Sequence, residues 1–421
     1  MPQRAGAVVP PGLVVVLVGA GHTHVELLLQ GHRFADAGLE LVVVSPDPTH
    51  PYSGMGPGLL GGTYSVADVS LPIADLAARA GARFVQQAVV SHDPQSQSLV
   101  LSDGSALSYD LASFNVGSEV AADESAEGRP ALCPVIPVKP IAGLAAAREV
   151  IEAVCRGGRG ARVAIVGGGP AGVELAGNVA WLLAQCGRPL GAPVAPESAA
   201  VASDAESRVD LYTSERPLAG LSGRRLQYVQ RCLEASGVRV HRGPRVDVAL
   251  LCADSAGAAG VPGLEAAGQE AARLEASRLS PSPPDLVLLA TGIGPPRALH
   301  AFGLPCAADG SIVVDRYLRA EGHDRVFAVG DCAGFADEPL DRVGVYAVRM
   351  QRVLLGNLLA TAAGTPLQPF TATGPYLGGL NLGFGRGILY RGPWTLRGRL
   401  AFLVKDWIDR RFMRRYQQPA A

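Results

Sequence analysis

The stretch VVVLVGAGHTHVELL, residues 14–28, begins as a continuous apolar, β-branched run and passes directly into Gly19-x-Gly21. Such a run predicts a buried strand, and residues 23–32 after the glycines predict the helix that follows it. A strand, a glycine turn and a helix together bind the pyrophosphate of a dinucleotide at the helix N-terminus. His24 stands where this fingerprint has its third glycine, so the motif is either a modified dinucleotide site or a simple turn.

The same pattern occurs a second time from Arg162, where RVAIVGGGPAGVELAGNVAWLL is followed by RVDLYTSE from Arg208. Here Gly167, Gly169 and Gly172 fill all three fingerprint positions. One fingerprint alone is weak evidence, but two that each open a strand–helix–strand unit predict two bound dinucleotides. We therefore predict an α/β fold with two Rossmann-like dinucleotide-binding domains and a C-terminal interface region.

Composition limits the possible classes of protein. The chain has 421 residues, 48% of them hydrophobic, and a formal net charge of −1, so it is globular and has no general attraction to nucleic acid. Its seven cysteines include no Cys-x-x-Cys pair, which argues against a metal site and a disulfide scaffold and favours a cytoplasmic location. We expect no signal peptide and no membrane-spanning helix.

A third motif, FAVGDCAG at residues 327–334, places Asp331 directly after a strand and Gly330. In flavoproteins that bind two dinucleotides, this Gly-Asp element binds the ribityl chain of FAD. Asp331 is therefore expected to bind FAD, although an aspartate at this position can also cap the following helix.

The order of these motifs resembles the two-dinucleotide-binding flavoprotein fold of pyridine-nucleotide disulfide reductases and type II NADH dehydrogenases. The disulfide reductases carry a redox cysteine pair where this chain has SPDPTHPYSGMGPGLLGG, so their disulfide mechanism is excluded. GAGHTHVELL, PYSGMGPGLLGGTYS, YDLASFNVGS, VIPVKPI and VKDWIDRRFMRRY resemble a narrower group over nearly the full chain. This group comprises the NADH-dehydrogenase-like flavoproteins that are often fused to selenophosphate synthetase.

In that group a GHxHV element replaces the glycine fingerprint, and NVGS replaces ATGS. The resemblance implies hydride transfer from NAD(P)H to FAD and then electron transfer to an acceptor, for which a quinone is expected. It also suggests three catalytic residues: Glu174 beside the nicotinamide, Gln351 on a helix that approaches flavin and quinone, and Lys139 near the flavin pyrimidine. A solvated surface lysine is the alternative for Lys139. This sequence shows no selenophosphate synthetase domain, so the resemblance alone does not predict a role in selenium metabolism.

Several cofactor contacts remain open at this stage. His22 and His24 either contact FAD directly or serve only in packing or in helix capping. Ser45 stands at the end of the second strand, where an acid often binds the adenosine ribose, and Arg216 near the equivalent position of the second unit favours NADPH. The residues expected to bind FAD or NAD(P)H are Gly19, Gly21, His24, Ser45, Asn115, Gly117, Gly167, Gly169, Gly172, Arg216, Gly292, Gly330 and Asp331.

Three other functions remain open. A sulfide:quinone reductase would use cysteines beside the flavin, for which Cys133 and Cys332 are the candidates. A reductase of a soluble protein or of a selenium or sulfur compound would share the cofactors and differ in its acceptor. A non-enzymatic flavin-binding regulator would bind FAD without being reduced by NAD(P)H.

We expect residues 1–150 and 296–345 to form the FAD-binding domain, residues 151–295 the NAD(P)H-binding domain, and residues 346–421 the interface region. Pro/Ala/Ser-rich residues 187–207 predict a surface loop. Residues 253–284 form a second low-complexity stretch, which predicts an insertion attached to a β-meander. The basic, amphipathic C-terminal segment predicts weak peripheral binding to the inner face of the membrane. Packing on the FAD domain or on a second subunit, as in a homodimer, is its alternative.

Overall fold

The computed structural model describes residues 12–120, 133–188, 190, 206–244, 246–252, 283–335, 340–372 and 374–418. Most of the two Pro/Ala/Ser-rich stretches therefore lies outside the described residues. The strands are β1 Leu13–Val18, β2 Leu39–Val44, β3 Thr49–Pro51, β4 Ser70–Pro72, β5 Arg83–Val85, β6 Val89–Asp93, β7 Ser98–Leu101, β8 Ala106–Ser108, β9 Leu111–Phe114, β10 Glu119–Val120, β11 Val135–Pro137, β12 Arg162–Val166, β13 Arg208–Thr213, β14 Arg239–Arg242, β15 Leu286–Leu289, β16 Ile293–Gly294, β17 Ile312–Val314, β18 Val326–Ala328, β19 Ala333–Phe335, β20 Gly378–Asn381, β21 Gly387–Arg391 and β22 Trp394–Gly398.

The helices lie between these strands and at the C-terminal end of the described chain. They are α1 His22–Leu28, α2 His32–Asp36, α3 Gly56–Leu60, α4 Val66–Val69, α5 Ile73–Arg79, α6 Gly143–Arg156, α7 Pro170–Gln185, α8 Gly223–Ala235, α9 Val248–Cys252, α10 Gly344–Ala362 and α11 Arg399–Gln417. None of the described helices is long and apolar enough to cross a membrane.

Two five-stranded parallel sheets form the centre of the molecule. The first has the order β18-β9-β1-β2-β5 and the second β11-β15-β12-β13-β14. Apolar runs such as LELVVV in β2 are almost wholly buried, as expected for strands covered on both faces. Each sheet contains a strand–glycine–helix unit, β1 to α1 in the first and β12 to α7 in the second, so the predicted α/β fold with two Rossmann-like units is confirmed.

Antiparallel elements complete the fold. Strands β6, β7 and β8 form one three-stranded sheet, and β20, β21 and β22 form another. The last of these strands leads directly into α11, which packs on β21 and β22. The C-terminal region is therefore a hairpin sheet followed by one helix, which contacts both halves of the molecule.

Two local expectations were wrong. The predicted helix over residues 23–32 is two helices, His22–Leu28 and His32–Asp36. A Cβ atom at Gly31 would lie 2.4 Å from the Cβ of Ala80, so the chain turns where helix α5 approaches. A disulfide also joins Cys133 to Cys252, 119 residues apart, which spacing along the chain could not reveal.

Candidate functional site

The first glycine turn lies at the carboxyl edge of the first sheet, between β1 and α1. Gly19 has a φ of +83°, and a Cβ atom there would lie 2.7 Å from the carbonyl oxygen of Asn115. A Cβ atom on Gly21 would lie 2.4 Å from Asn115 Oδ1. Both positions require glycine because the end of β9 comes so close to the turn.

Asn115 is the link between this turn and the Gly-Asp element. Its Oδ1 accepts hydrogen bonds from the backbone N–H groups of Thr23, at 3.1 Å, and His24, at 3.3 Å. Its Nδ2 donates to the carbonyl of Val329 at 2.9 Å. Asn115 therefore caps α1 and fixes it to the end of β18, a positioning role that the motif alone did not indicate.

His24, at the third fingerprint position, lies in the interior. Its Nδ1 is 2.7 Å from the carbonyl of Gly19, and its Nε2 is 2.8 Å from Ser113 Oγ. Because a carbonyl only accepts, Nδ1 carries the proton and Nε2 accepts from the serine hydroxyl. Burial lowers the pKa of His24 to about 4, so the ring is neutral. Both nitrogens are occupied, which favours the packing interpretation over direct contact with FAD.

His22 differs because its Nε2 is buried and has no hydrogen-bond partner among the described residues. Its ring lies near those of His50, Tyr52 and Phe412, with centroid distances of 6.0, 5.3 and 6.2 Å. A buried nitrogen without a partner marks a place where a ligand can bind. Sequence reasoning named His22 only as a packing or contact alternative and did not name His50.

Asp331, Lys139 and Ser118 form a compact charged cluster beside His22. Lys139 Nζ lies 3.0 Å from Asp331 Oδ2, and Ser118 Oγ donates to the same oxygen at 2.6 Å. Burial opposes ionisation of Asp331, but the Lys139 charge and the Ser118 hydrogen bond outweigh it and lower the pKa of Asp331. Lys139 is only 20% exposed, so it is not a solvated surface lysine.

The second glycine turn, between β12 and α7, is the more open one. A Cβ atom on Gly167 would lie 2.1 Å from the carbonyl oxygen of Ala290, and one on Gly172 would lie 1.8 Å from the carbonyl oxygen of Gly167. A Cβ atom on Gly169 would meet no atom within 4 Å. Gly167 and Gly172 are thus needed for packing, while Gly169, the N-cap of α7, faces space that a pyrophosphate fits.

The other predicted cofactor residues lie at the ends of parallel strands. Ser45 follows β2 and is buried, and its N–H donates to the carbonyl of Val85 at 3.1 Å. Gly117 and Gly292 have φ values of +76° and +118°, and Cβ atoms on them would meet nothing within 4 Å. They leave open space at the carboxyl edges of the two sheets.

Two arginines lie at the carboxyl edge of the second sheet, one beyond β13 and one at the end of β14. The side chain of Arg216 is exposed, and its carbonyl accepts a hydrogen bond from Arg242 at 3.3 Å. Arg242 ends β14, the neighbouring strand, and was not named from the sequence. This pair lies near the position where an acid would otherwise bind the adenosine ribose.

The C-terminal helix brings a buried lysine to Glu174, and sequence reasoning missed it. Glu174 Oε1 accepts a hydrogen bond from the N–H of Asn381 at 2.7 Å. Burial raises the pKa of Glu174 to about 7, although the charge of Lys405 partly offsets this effect. Lys405 Nζ donates to Asp409 Oδ2 and to the carbonyl of Gly54, each at 2.8 Å. The basic, amphipathic pattern of this segment predicts membrane binding or packing, and neither expectation singles out Lys405.

Gln351 lies on α10 and lines a surface groove of about 680 Å³ together with Arg352 and Phe370. Its Oε1 is buried and has no partner among the described residues. The preceding residue, Met350, accepts a hydrogen bond at sulfur from the N–H of Gly330 at 3.3 Å. Helix α10 therefore contacts the Gly-Asp element directly.

The two cysteines considered for a sulfide-oxidising site are poorly suited to nucleophilic chemistry. Cys133 is bonded to Cys252. Burial raises the pKa of Cys332 to about 11, and its thiol lies 3.2 Å from the carbonyl oxygen of Val329. Such a thiol stays protonated at neutral pH. Among the described residues, no group of His, Cys, Asp and Glu side chains could hold a metal ion.

Residues 13–353 match the sequence profile of the pyridine nucleotide-disulphide oxidoreductases. Ferroptosis suppressor protein 1 of Xenopus tropicalis is 39% identical over 88 residues, which are 20% of this chain and 23% of that protein. The same protein of Taeniopygia guttata is 26% identical over 294 residues, 69% of this chain and 66% of its own length. The matches thus span less than two thirds of these relatives.

Several solved structures have the same fold as this chain. The sulfide:quinone oxidoreductase of Aquifex aeolicus has a TM-score of 0.71 at 14% identity, covering 96% of this chain and 91% of its own. NDH2 from Plasmodium falciparum in complex with NADH has a TM-score of 0.65 at 12% identity, covering 94% of this chain and 99% of its own. At these identities the likeness shows the fold alone.

Two parallel sheets, each with a glycine turn at its carboxyl edge, define a class of flavoproteins that hold two dinucleotides. The profile match covers most of the chain, and the chain belongs to the pyridine nucleotide-disulphide oxidoreductase family. Its cofactors are FAD and NAD(P)H, and the described residues fit them. The Asp331 carboxylate, the open space at Gly117 and the unpartnered nitrogen of His22 suit FAD, and the open turn at Gly169 suits NAD(P)H.

Proposed function

We propose that this protein is an NAD(P)H:quinone oxidoreductase of the type II NADH dehydrogenase-like kind. The observation that carries the proposal is the electrostatic interaction between a side chain of α7, which follows the second glycine turn, and one of the C-terminal helix α11. Glu174, on the first, and Lys405, on the second, share one buried electrostatic environment. Glu174, which we assign to the nicotinamide site, thereby interacts electrostatically with α11, the helix whose outer face is apolar.

The two cofactors would be held at the two glycine turns. FAD supplies, when bound, a ring that accepts a hydride and passes its electrons on. Gly19, Gly21 and Asn115 would shape the pyrophosphate turn, and Asp331 would accept hydrogen bonds from the ribityl hydroxyls. Gly169 and the N-terminus of α7 would receive the pyrophosphate of NAD(P)H.

Glu174 would supply a proton to the acceptor. Reduction of a quinone to a quinol takes two electrons and two protons, whereas a hydride brings two electrons and one proton. The overall reaction is therefore NAD(P)H + H⁺ + quinone → NAD(P)⁺ + quinol. A carboxyl group with a pKa of about 7 is protonated often enough to donate and is readily recharged near neutral pH.

The outer face of the C-terminal helix would bring the enzyme to a membrane that contains the quinone. Leu400, Leu403 and Trp407 are 58%, 49% and 58% exposed and lie on one side of the helix. Arg411 lies over the Trp407 ring at 5.5 Å and adds positive charge to this face. An exposed apolar stripe with a tryptophan and basic neighbours is typical of helices that lie in a membrane interface.

Ferroptosis suppressor protein 1 and the NADH-bound NDH2 structure are consistent with this proposal at the level of family and fold. The sulfide:quinone alternative has less support because Cys133 is in a disulfide and Cys332 is buried and protonated. A soluble protein as acceptor is the remaining candidate, and the exposed apolar stripe favours a quinone over it.

Anaerobic spectroscopy tests the proposal. NADH or NADPH should bleach the yellow holoenzyme, and a water-soluble ubiquinone analogue should restore the colour within the time of a turnover. Gly169→Val should keep the resting colour and lose bleaching, because the side chain fills the space at the second turn. Gly356→Val, in the middle of α10, is the matched control, since a Cβ atom there likewise meets nothing within 4 Å. Bleaching without reoxidation by any quinone would refute the quinone assignment.

A further inference from the structure

Near the charged cluster of Asp331 and Lys139 lies a buried polar group that the proposed function leaves unused. His22 Nε2 is buried without a hydrogen-bond partner among the described residues. Tyr52 lies edge-on to the His22 ring with centroids 5.3 Å apart, and His50 lies edge-on to it at 6.0 Å. Phe412, from the C-terminal helix, closes another side at 6.2 Å. Aromatic rings therefore shield this nitrogen from solvent and leave it able to bind a proton.

The charges around His22 come from three parts of the chain. Burial is the main influence and lowers the pKa of His22 to about 4, while Asp331 raises it and Lys139 lowers it. Burial also lowers the pKa of His50 to about 3, and both His22 and Lys139 lower it further. The hydroxyl of Tyr52 donates to Asp409 at 3.3 Å and stays protonated. Of the two imidazoles, His22 is the one that the negative charge of Asp331 favours for protonation.

We propose that His22 takes up a proton at Nε2 when the enzyme is reduced and releases it when the enzyme is reoxidised. This inference rests on the proposed function. A hydride carries two electrons and one proton, so its arrival from NAD(P)H leaves one additional negative charge beside His22. In a poorly solvated pocket such a charge strongly favours protonation of a neighbouring imidazole.

The proton balance closes over the full cycle. Reduction consumes NAD(P)H and one solvent proton, which resides on His22, and releases NAD(P)⁺. Reoxidation delivers two electrons and one proton to the quinone, which takes its second proton from Glu174. His22 then releases its proton as Glu174 regains one, and the sum is NAD(P)H + H⁺ + quinone → NAD(P)⁺ + quinol. His22 is a charge-balancing group in this scheme, distinct from the proton donor Glu174.

Counting protons during reduction tests the proposal without any turnover. The holoenzyme is titrated anaerobically with NADH or NADPH in weak buffer that contains a pH-indicator dye. A pH of about 6 is chosen because Glu174, with its pKa of about 7, is then already protonated. Wild type should take up about one proton per flavin reduced. His22→Asn should take up none, and the control His50→Asn should still take up about one.

The flavin reduction potential gives a second measurement. With one extra proton per two electrons, the potential of wild type should fall by about 60 mV per pH unit between about pH 5 and about pH 6.5. His22→Asn should show about 30 mV per pH unit, the value for one proton per two electrons. Equal slopes in the two proteins would overturn the role of His22.

The outcomes separate this proposal from the proposed function. A protein without flavin, or one that NAD(P)H does not bleach, contradicts the proposed function itself. Bleaching of wild type without proton uptake contradicts only the role of His22. Loss of proton uptake in His50→Asn would also overturn that role, because His50 would then be the residue that takes up the proton. If His22→Asn does not retain flavin, His22→Gln takes its place, and the proton count of wild type stays decisive for whether a proton enters.

Discussion

Asn115 shows how much of a cofactor site can depend on one side chain that need not touch the cofactor. Its amide bonds the N-terminus of α1 on one side and the end of β18 on the other. An alanine at this position would leave the buried N–H groups of Thr23 and His24 without the acceptor they have now and would remove one of the donors to the carbonyl of Val329. We expect Asn115→Ala to lower the free energy of unfolding by about 1–3 kcal/mol and to reduce the flavin content of the purified protein.

Chemical denaturation and the flavin absorbance per chain check this prediction. The control is Ser105→Ala, in an exposed turn, which should change stability by less than about 0.5 kcal/mol. Full stability and full flavin content in Asn115→Ala would show that the first turn holds its shape without this amide.

Glu174 predicts that the rate of quinone reduction depends on pH. Burial raises its pKa to about 7, so its protonated, proton-donating form declines as the pH rises through 7. The kcat for quinone reduction should therefore fall above about pH 7 in wild type. Glu174→Gln should lose that decline and lower kcat by about 100-fold, the usual size of a general-acid contribution.

Steady-state kinetics from about pH 5.5 to about pH 9 test the role of Glu174. Glu149→Gln, an exposed change on α6, should leave the pH profile as it is in wild type. A Glu174→Gln enzyme with the wild-type profile would exclude Glu174 as the proton donor.

Arg216, exposed beyond β13, predicts a preference for NADPH over NADH. Arg216 lies beside Arg242, and two guanidinium groups suit a 2′-phosphate. Arg216→Glu should lower kcat/KM for NADPH at least tenfold and leave that for NADH within about twofold. Equal losses for both nucleotides would show that Arg216 does not contact the 2′-phosphate.

At the scale of the element, the C-terminal helix has two faces with different tasks. The inner face buries Ala401, Asp409, Met413 and Tyr416, and Arg415 forms two hydrogen bonds to buried Glu26 at 3.0 and 2.9 Å. The outer face exposes Leu400, Leu403 and Trp407. The apolar residues of this segment therefore divide between packing and exposure, and membrane binding by the outer face stays a prediction.

Substitutions on each face should separate the two tasks. The triple change of Leu400, Leu403 and Trp407 to serine should abolish co-sedimentation with anionic vesicles and leave thermal stability nearly unchanged, because these side chains are already in water. Met413→Ala should keep vesicle binding and lower the free energy of unfolding by about 2–5 kcal/mol. Wild-type protein that stays in the supernatant at low salt would contradict membrane binding.

At the scale of the whole molecule, burial of neutral histidines predicts sensitivity to acid. Burial holds the pKa values of His22 and His24 at about 4, whereas the ordinary value is 6.5. Between these values the unfolded chain binds more protons than the folded one, so stability falls as the pH decreases from about 6.5 towards 4. Thermal unfolding of wild type should show this loss, and His22→Asn should show a smaller one. A melting temperature that is constant over this range would contradict the prediction.

The sequence predicted the architecture well because its signals are local. Each glycine turn directly follows an apolar strand, and parallel strands bring such turns to the same edge of a sheet. The sequence could not predict contacts between distant segments. Lys405 reaches Glu174 only because α11 folds back across the molecule, and Cys133 meets Cys252 across 119 residues. The role of Asn115 as a cap likewise depends on how closely β9 approaches the first turn.

The placement of β18 and α11 also bears on how the protein is made. Residues 326–328 pair with β9 at one edge of the first sheet, and Arg415 and Tyr416 bind Glu26 near the other end of the chain. During synthesis the ribosome releases Glu26 hundreds of residues before these partners. The unit encoded first therefore matures last, while the second sheet, drawn from residues 135–289, can fold in the meantime. A nascent chain that stalls before Arg399 exposes an unpaired acidic group, and one that stalls before Val326 also leaves β9 as an open sheet edge, a feature that suits recognition by chaperones.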